Sequence, residues 1–189
     1  MLIMLAISLL VFWGCQQEIK DPNLMIQKEI HEGWTFRQAN EGEWLPATVP
    51  GTVHTDLLDN GVIDDPYYRL NELDLQWIDK VDWEYKTTFT VDENLLNRDR
   101  VQLDFKGLDT YADVYLNGEQ ILAANNMFRE WQVDVKKLLN EGENELHIRF
   151  RSPIAEGLKK YDANEFIYPG AENDQAERGE VEGAKRVSI

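Results

Sequence analysis

Residues 83–91, WEYKTTFTV, alternate: Trp83, Tyr85, Phe89 and Val91 share one parity, and Glu84, Lys86, Thr88 and Thr90 share the other. A period of two belongs to a strand with one buried face. It recurs in Val101, Leu103 and Phe105, in Ala112, Val114 and Leu116, and again in WQVDV (131–135) and ELHIRF (145–150). Asn117-Gly118 follows one such run and precedes another, and both central residues of a type I′ hairpin turn need positive φ. Asn140, Gly142 and Asn144 mark the turn between WQVDV and ELHIRF. A chain of short alternating strands buries its apolar parity by packing sheet on sheet. The expected class is therefore all-β, an antiparallel sandwich of jelly-roll form. Helical signals are few. Thr52 is placed to cap a short helix that stops at Gly61, and Ser152 caps another with Pro153 at its first position.

Charge and the two ends of the chain narrow the class further. The 189 residues carry 35 acids against 19 bases, a net charge of −16. That field repels nucleic acid and anionic membrane surfaces and tolerates neutral substrates. Residues 1–15, MLIMLAISLLVFWGC, form an apolar run too short to span a bilayer and of the right length for a signal-peptide core. The run ends in Gly14-Cys15, which resembles a bacterial lipoprotein signal whose cysteine thiol is lipidated. No Lys or Arg precedes it, and Phe12 and Trp13 are bulky for that position. An ordinary signal or a buried apolar strand are the alternatives. Lipidation at Cys15 predicts export across an inner membrane, to the periplasm or as an outer-membrane lipoprotein. Cys15 is the single cysteine, so no internal disulfide is expected. Residues 26–167 carry the strand pattern. Residues 168–189 turn polar and Gly-rich and end on RVSI, which reads as the opening of a strand. The expectation is a truncated linker leading to a missing remainder.

One stretch carries the chemistry that draws attention. Residues 64–85 hold two tryptophans, three tyrosines and seven carboxylates. Rings that stack on sugar faces beside acids that bind hydroxyls are the tools of sugar-handling proteins; the same residues also serve as packing with a solvated rim. Trp83 is in register with the buried parity of its strand and reads as core. Trp77 reads as packing under the loop or as a sugar contact. Asn71, Glu72 and Asp74 read as loop scaffolding or as an active-site rim. Asp64 and Asp65, before Pro66, suggest turn chemistry. His31, His54 and His147 lack metal-ligand spacing. His54 is expected to hold its loop by hydrogen bonds, and His147 to point outward into solvent. In NMFREWQVDV (126–135), Phe128 and Trp131 are expected to pack inward while Arg129 pairs with an acid; the alternative is a small recognition patch of Arg129 and Trp131. No nucleophile elbow, phosphate loop or calcium loop is written in the chain.

Four segments taken in order carry a resemblance. They are GWTFR (33–37), VPGTVHTDLLDNGVIDDPYYRLNELDLQWIDKVDWEY (49–85), FKGLDTYADVYLNGEQIL (105–122) and NMFREWQVDVKKLLNEGENELHIRF (126–150). Together they resemble the N-terminal sugar-binding domain of glycoside hydrolase family 2. PYYRLNELDLQWI with DWEY is most similar to the β-mannosidase branch. The resemblance covers roughly residues 26–155. It implies a galactose-binding-like jelly roll followed by immunoglobulin-like domains and a catalytic barrel. The barrel supplies two glutamates that work by retention, with carboxyls about 5–5.5 Å apart. It implies that this segment shapes the pocket for an oligosaccharide ending in β-D-mannose and braces the barrel by intramolecular contact. Asn71, Glu72 and Trp77 become substrate-rim candidates, with no catalytic residue, metal or cofactor in this chain. Two other readings stand beside it. One is a free-standing carbohydrate-binding module or a surface interaction protein. The other is a family 2 glycosidase of β-galactosidase or β-glucuronidase type.

Overall fold

The computed structural model describes residues 25–163 and 165. The signal-like run with Cys15 and the segment 168–189 lie outside those residues. Eight strands run in chain order among the described residues: β1 (Thr35–Gln38), β2 (Leu45–Pro46), β3 (Trp83–Val91), β4 (Gln102–Phe105), β5 (Tyr111–Leu116), β6 (Glu119–Ala124), β7 (Trp131–Asp134) and β8 (Gly142–Arg151). Four short helices join them: α1 (Val53–Asp59), α2 (Asn71–Asp74), α3 (Glu93–Leu96) and α4 (Pro153–Asp162). Six strands form one antiparallel sheet in the order β2-β1-β3-β8-β5-β6, and β4 pairs with β7 in a second. This is the all-β sandwich that the alternation predicts.

Register converts the alternation into a core. Phe36, Tyr85, Ile148, Val114 and Leu122 lie side by side across five strands of the large sheet. Phe36 and Val114 are wholly buried, and Tyr85 and Ile148 nearly so. Leu57 of α1, Leu108 and Phe105 close the same cluster from the other layer. The Asn117-Gly118 turn has φ of 51° and 83°, as a type I′ turn requires. Consecutive strands β7 and β8 lie in different sheets, so residues 135–141 are a crossover rather than a hairpin. Two asparagines weld its end. The buried Asn144 donates to Asn140 O at 2.8 Å and accepts from Asn140 N at 2.8 Å and Asn117 Nδ2 at 2.9 Å.

Both predicted helix starts are present. Thr52 and Thr55 form a reciprocal capping box at the head of α1, and Gly61 ends it with φ of 67°. Gly51, just before, has no room for a side chain: a Cβ there would stand 2.2 Å from Thr48 O. Ser152 caps α4 by accepting from Ala155 N at 3.0 Å, and its hydroxyl donates to Asp79 O at 2.7 Å. Asp82 accepts from Ser152 N at 2.7 Å and from Arg149 Nη2 at 2.9 Å. The end of β8 is thereby fixed to the loop that precedes β3.

Asp56 joins the layers. It is 1% exposed. Its Oδ1 accepts from Thr48 N and its Oδ2 from the Tyr85 hydroxyl, each at 2.8 Å. Burial first, then the Asp56 carboxylate, pushes the Tyr85 phenol far above its ordinary value, so it stays a donor. This corrects the expectation for His54. That side chain is exposed on α1, and the loop is held by Asp56, two residues on.

The outer face of the large sheet also departs from a simple solvated parity. Glu84 is buried and accepts from Arg37 Nε at 2.8 Å. His147 points outward as expected, yet it is only part-exposed. Tyr115 stacks on it at 5.6 Å and Trp44 meets it edge-on at 6.4 Å. Trp44 is in turn overlaid by Lys86 at 4.2 Å and Arg37 at 4.5 Å. The loop between β1 and β2 swings Trp44 back across the sheet, with Asn40 and Gly42 at φ of 61° and 72°. Burial lowers the His147 pKa below its ordinary value, aided by Arg37 and Lys86 and opposed by Glu84 and Glu145.

Two outcomes follow from these contacts. Asp56→Ala strands a buried hydroxyl and a backbone N–H, and should lower unfolding stability by roughly 3 kcal/mol in urea titrations; a loss under about 1 kcal/mol would mean the bridge is idle. For His147, the unfolded chain takes up a proton at higher pH than the folded one. Its contribution is complete above the ordinary histidine value and is lost as pH falls from there to the depressed folded value. His147→Gln should therefore flatten the fall in urea midpoint between about pH 7 and pH 5. An unchanged slope would contradict the burial of this ring.

Candidate functional site

The register gathers several connections at one end of the sandwich. Trp83 lies opposite both Gln38 and Phe150, Ala112 opposite Phe150 and Ala124, and Phe105 opposite Trp131. Residues 39–44, the last residues of the connection that enters β3, residues 106–110 and residues 125–130 therefore emerge together. The aromatic and acidic stretch singled out in the sequence runs into β3 from this end.

Its first half is built on turn chemistry, as the acids before Pro66 predict. Asp65 Oδ1 accepts from Tyr67 N at 2.9 Å, and Asp65 O accepts from Tyr68 N at 3.1 Å. Asn71 Nδ2 donates to the same Asp65 carbonyl at 2.9 Å. Asn71 is thus tied into the scaffold of the loop. The turn leaves Tyr67 97% exposed, with Tyr68, Leu70 and Leu73 also open to solvent.

Glu72 lies exposed in α2 and lines a shallow hollow of about 200 Å³ with His54, Pro66, Leu75, Gln76 and Asp79. Gln76 Nε2 donates to the backbone carbonyl of Glu72 at 2.9 Å, and the Glu72 side chain is open to solvent. Trp77 belongs to a different groove, of about 270 Å³, between α1 and the β1–β2 loop. Its ring packs on Trp83 at 5.8 Å, and Trp83 packs on Phe36 at 6.0 Å while donating its indole N–H to Ile78 O at 2.9 Å. Trp83 is core, as its parity predicts, and Trp77 is half-buried against it. The three rim candidates share one loop, yet they do not converge on one hollow.

The 125–130 connection overturns an expectation. Phe128 is 88% exposed rather than packed inward. Arg129 lies over the half-buried Trp131 ring at 4.3 Å instead of pairing with an acid, and the neighbouring acid, Glu130, pairs with Lys106 at 3.0 Å. Arg129 and Trp131 do come together, as the alternative reading has it. The signal for the exposed Phe128 is the Asn126 before it, whose Oδ1 accepts from Phe128 N at 2.9 Å and turns the backbone outward. Among the described residues no group of three or more His, Cys, Asp or Glu could hold a metal.

Substitution separates packing from rim. Trp77→Ala should cost about 2 kcal/mol of stability by uncovering Trp83. Glu72→Gln, exposed and without a side-chain partner to lose, should stay within about 0.5 kcal/mol of the parent. Urea unfolding followed by tryptophan fluorescence reads both, and a neutral Trp77→Ala would remove the packing role.

Comparison with known proteins now places this geometry. A family described as glycosyl hydrolase 2 galactose-binding domain-like matches residues 34–184. A β-mannosidase of Rattus norvegicus is 39% identical over 125 residues, which is 66% of this chain and 14% of that protein. β-Mannosidase A of Emericella nidulans is 44% identical over 108 residues, 57% of this chain and 11% of that one. The crystal structure of a β-D-mannosidase from Dictyoglomus thermophilum superposes with a TM-score of 0.74 at 39% identity, covering 76% of this chain and 18% of that chain. An exo-chitosanase from Amycolatopsis orientalis, at 24% identity and a TM-score of 0.58 over 66% of this chain and 16% of that one, shares the fold. The sandwich of short antiparallel strands is a galactose-binding-like jelly roll, and the chain belongs to the glycosyl hydrolase 2 galactose-binding domain-like family.

Proposed function

We propose that this chain is the N-terminal part of a retaining β-mannosidase that removes terminal β-D-mannose from oligosaccharides. The observation that carries the reading is 39% identity, over 76% of the chain, with a β-D-mannosidase of the same fold. In such a reaction one carboxylate attacks the anomeric carbon while a second protonates the leaving oxygen and then activates water. Both carboxylates belong, on this reading, to a downstream barrel. The segment described here acts as a wall. Glu72 offers a free carboxylate to sugar hydroxyls, Asn71 keeps the loop in shape, and Trp77 stiffens it from beneath. The exposed Tyr67, Tyr68, Leu70 and Leu73 give the barrel an apolar surface to pack on. Walls of this kind fix catalytic geometry from outside the reacting atoms. The net charge of −16 suits a neutral substrate.

The same proposal extends to location. The apolar run of residues 1–15, ending in Gly14-Cys15, supports export and attachment of a lipid to the Cys15 thiol. The protein would then act in the periplasm or as an outer-membrane lipoprotein.

The test is the full-length enzyme on p-nitrophenyl β-D-mannopyranoside, with NMR detection of the first anomer released. The expected product is the β anomer, and Glu72→Gln should raise KM about tenfold with a smaller change in kcat. Hydrolysis by the 189-residue chain alone, abolished by changing one of its own acids, would overturn the proposal. So would a preference for galactosides or glucuronides. In the same cells, labelled palmitate should enter the parent and not Cys15→Ser; an unlabelled parent with a free Cys15 thiol removes the anchor.

A further inference from the structure

The loop of residues 39–44 lays one side chain across the outer face of the large sheet. Trp44 stands edge-on to His147 at 6.4 Å, with Lys86 over its own ring at 4.2 Å and Arg37 at 4.5 Å. The register sets Tyr115 of β5 and Lys86 of β3 on either side of His147. The His147 side chain is 29% exposed, yet its Nε2 is buried and has no hydrogen-bond partner. Glu84 Oε1 stands 3.8 Å from that nitrogen, beyond hydrogen-bond reach, while Oε2 of the same carboxylate takes Arg37 Nε at 2.8 Å. The charged and titratable groups around the ring are Arg37 from β1, Glu84 and Lys86 from β3, Tyr115 from β5 and Glu145 from its own strand. Arg149, further along β8, is taken up by Asp82, and the loop's own acids, Glu41 and Glu43, line the Trp77 groove.

We propose that His147 is a proton-operated latch on residues 40–44: neutral, it lets Trp44 close over the sheet, and protonated it releases that ring and with it one wall of the groove of about 270 Å³ beside Trp77. A proton on Nε2 sets a third cation beside Arg37 and Lys86, and the buried acid in range is already paired with Arg37. Lifting Trp44 returns water to the ring, so the charged form is better solvated in the open state. Burial holds His147 below the ordinary histidine value, Arg37 and Lys86 act the same way, and Glu84 and Glu145 oppose them. A state that binds a proton less well loses population as pH falls, and by linkage the proton and the closed loop disfavour each other equally. The ends of the loop stay fixed, since Ala39 N donates to Asp82 O at 2.8 Å and Leu45 is paired opposite Phe36. Release is therefore confined to the segment that carries Trp44.

The experiment follows the full-length protein by hydrogen exchange with mass spectrometry at about pH 7 and about pH 5. Peptides covering residues 40–45 should exchange at least about fivefold faster at the lower pH, after correction for the intrinsic rate. His147→Gln should remove that pH dependence. Slow deuteration at the imidazole C2 carbon, read against pH in the same digests, reports the titration of His147 itself. It should lie below the ordinary histidine value in the parent and rise toward that value in Trp44→Ala. Equal protection of 40–45 at both pH values in the parent would overturn the latch. So would a pH dependence that survives His147→Gln, which would assign it to another group, or a His147 titration that Trp44→Ala leaves unmoved. Amides of β5 and β8 serve as the internal standard: if they lose protection together with the loop in the parent at low pH, the domain opens as a whole and no latch exists.

Discussion

A buried carboxylate that accepts two hydrogen bonds holds this fold together. The large sheet has strands on one side of its core and, over β1 and β3, only α1 and the loops beside it. Asp56 supplies what a paired strand would otherwise supply: it takes the Thr48 amide with one oxygen and the Tyr85 hydroxyl with the other. Leaving either donor unpaired in the core costs more than a typical hydrogen bond contributes, so the position of α1 is tightly specified. The turn at Asp65 is held by its own hydrogen bonds to Tyr67 and Asn71, and the Trp77–Trp83 stack rests on the pairing of Trp83 with Gln38 and Phe150.

The far face of the same sheet obeys a different logic. Arg37, Glu84, Arg149 and Asp113 line up across β1, β3, β8 and β5, alternating in sign. Next to them Lys86, His147 and Tyr115 form a second row, closed by Trp44. Opposite charges on neighbouring strands support the register, and cations over Trp44 cover part of the face without an apolar layer. A chain with a large excess of acid thereby concentrates several of its bases on one surface.

Antiparallel strands return their connections to the two ends of the sandwich, so loops distant in sequence become neighbours. Here one end collects residues 39–44, the entry to β3, residues 106–110 and the Phe128 turn. Rigid strands beneath hold the loops, and local turns at Asp65 and Asn126 fix their outlines. Apolar side chains that the domain does not bury, Tyr67 and Phe128 foremost, are offered outward by these turns.

Much of this was legible in the text of the chain, because the responsible forces are local. Alternation is set by the two-residue repeat of the strand, the Asn117-Gly118 hairpin by positive φ, and both helix starts by Thr52 and Ser152. The motif series also carried the family, and Trp83 was assigned to the core from parity alone. Other features needed the tertiary structure, since a side chain's burial depends on what covers it rather than on its own pattern. His147 obeys its outward parity and is nonetheless part-covered, because Trp44 arrives from another loop. Glu84 is buried on the nominally wet face because Arg37 lies opposite it. Phe128 reads as an inward anchor and stands in solvent, because Asn126 turns the backbone and Trp131 is already covered by Arg129. Asn71, Glu72 and Trp77 are neighbours in sequence and part company in space, since a loop built from successive turns sends each side chain to a different surface. The sequence alone determined the strands, their caps and their kinship. Only the packed sheets decided which faces are wet, for that requires two segments to meet.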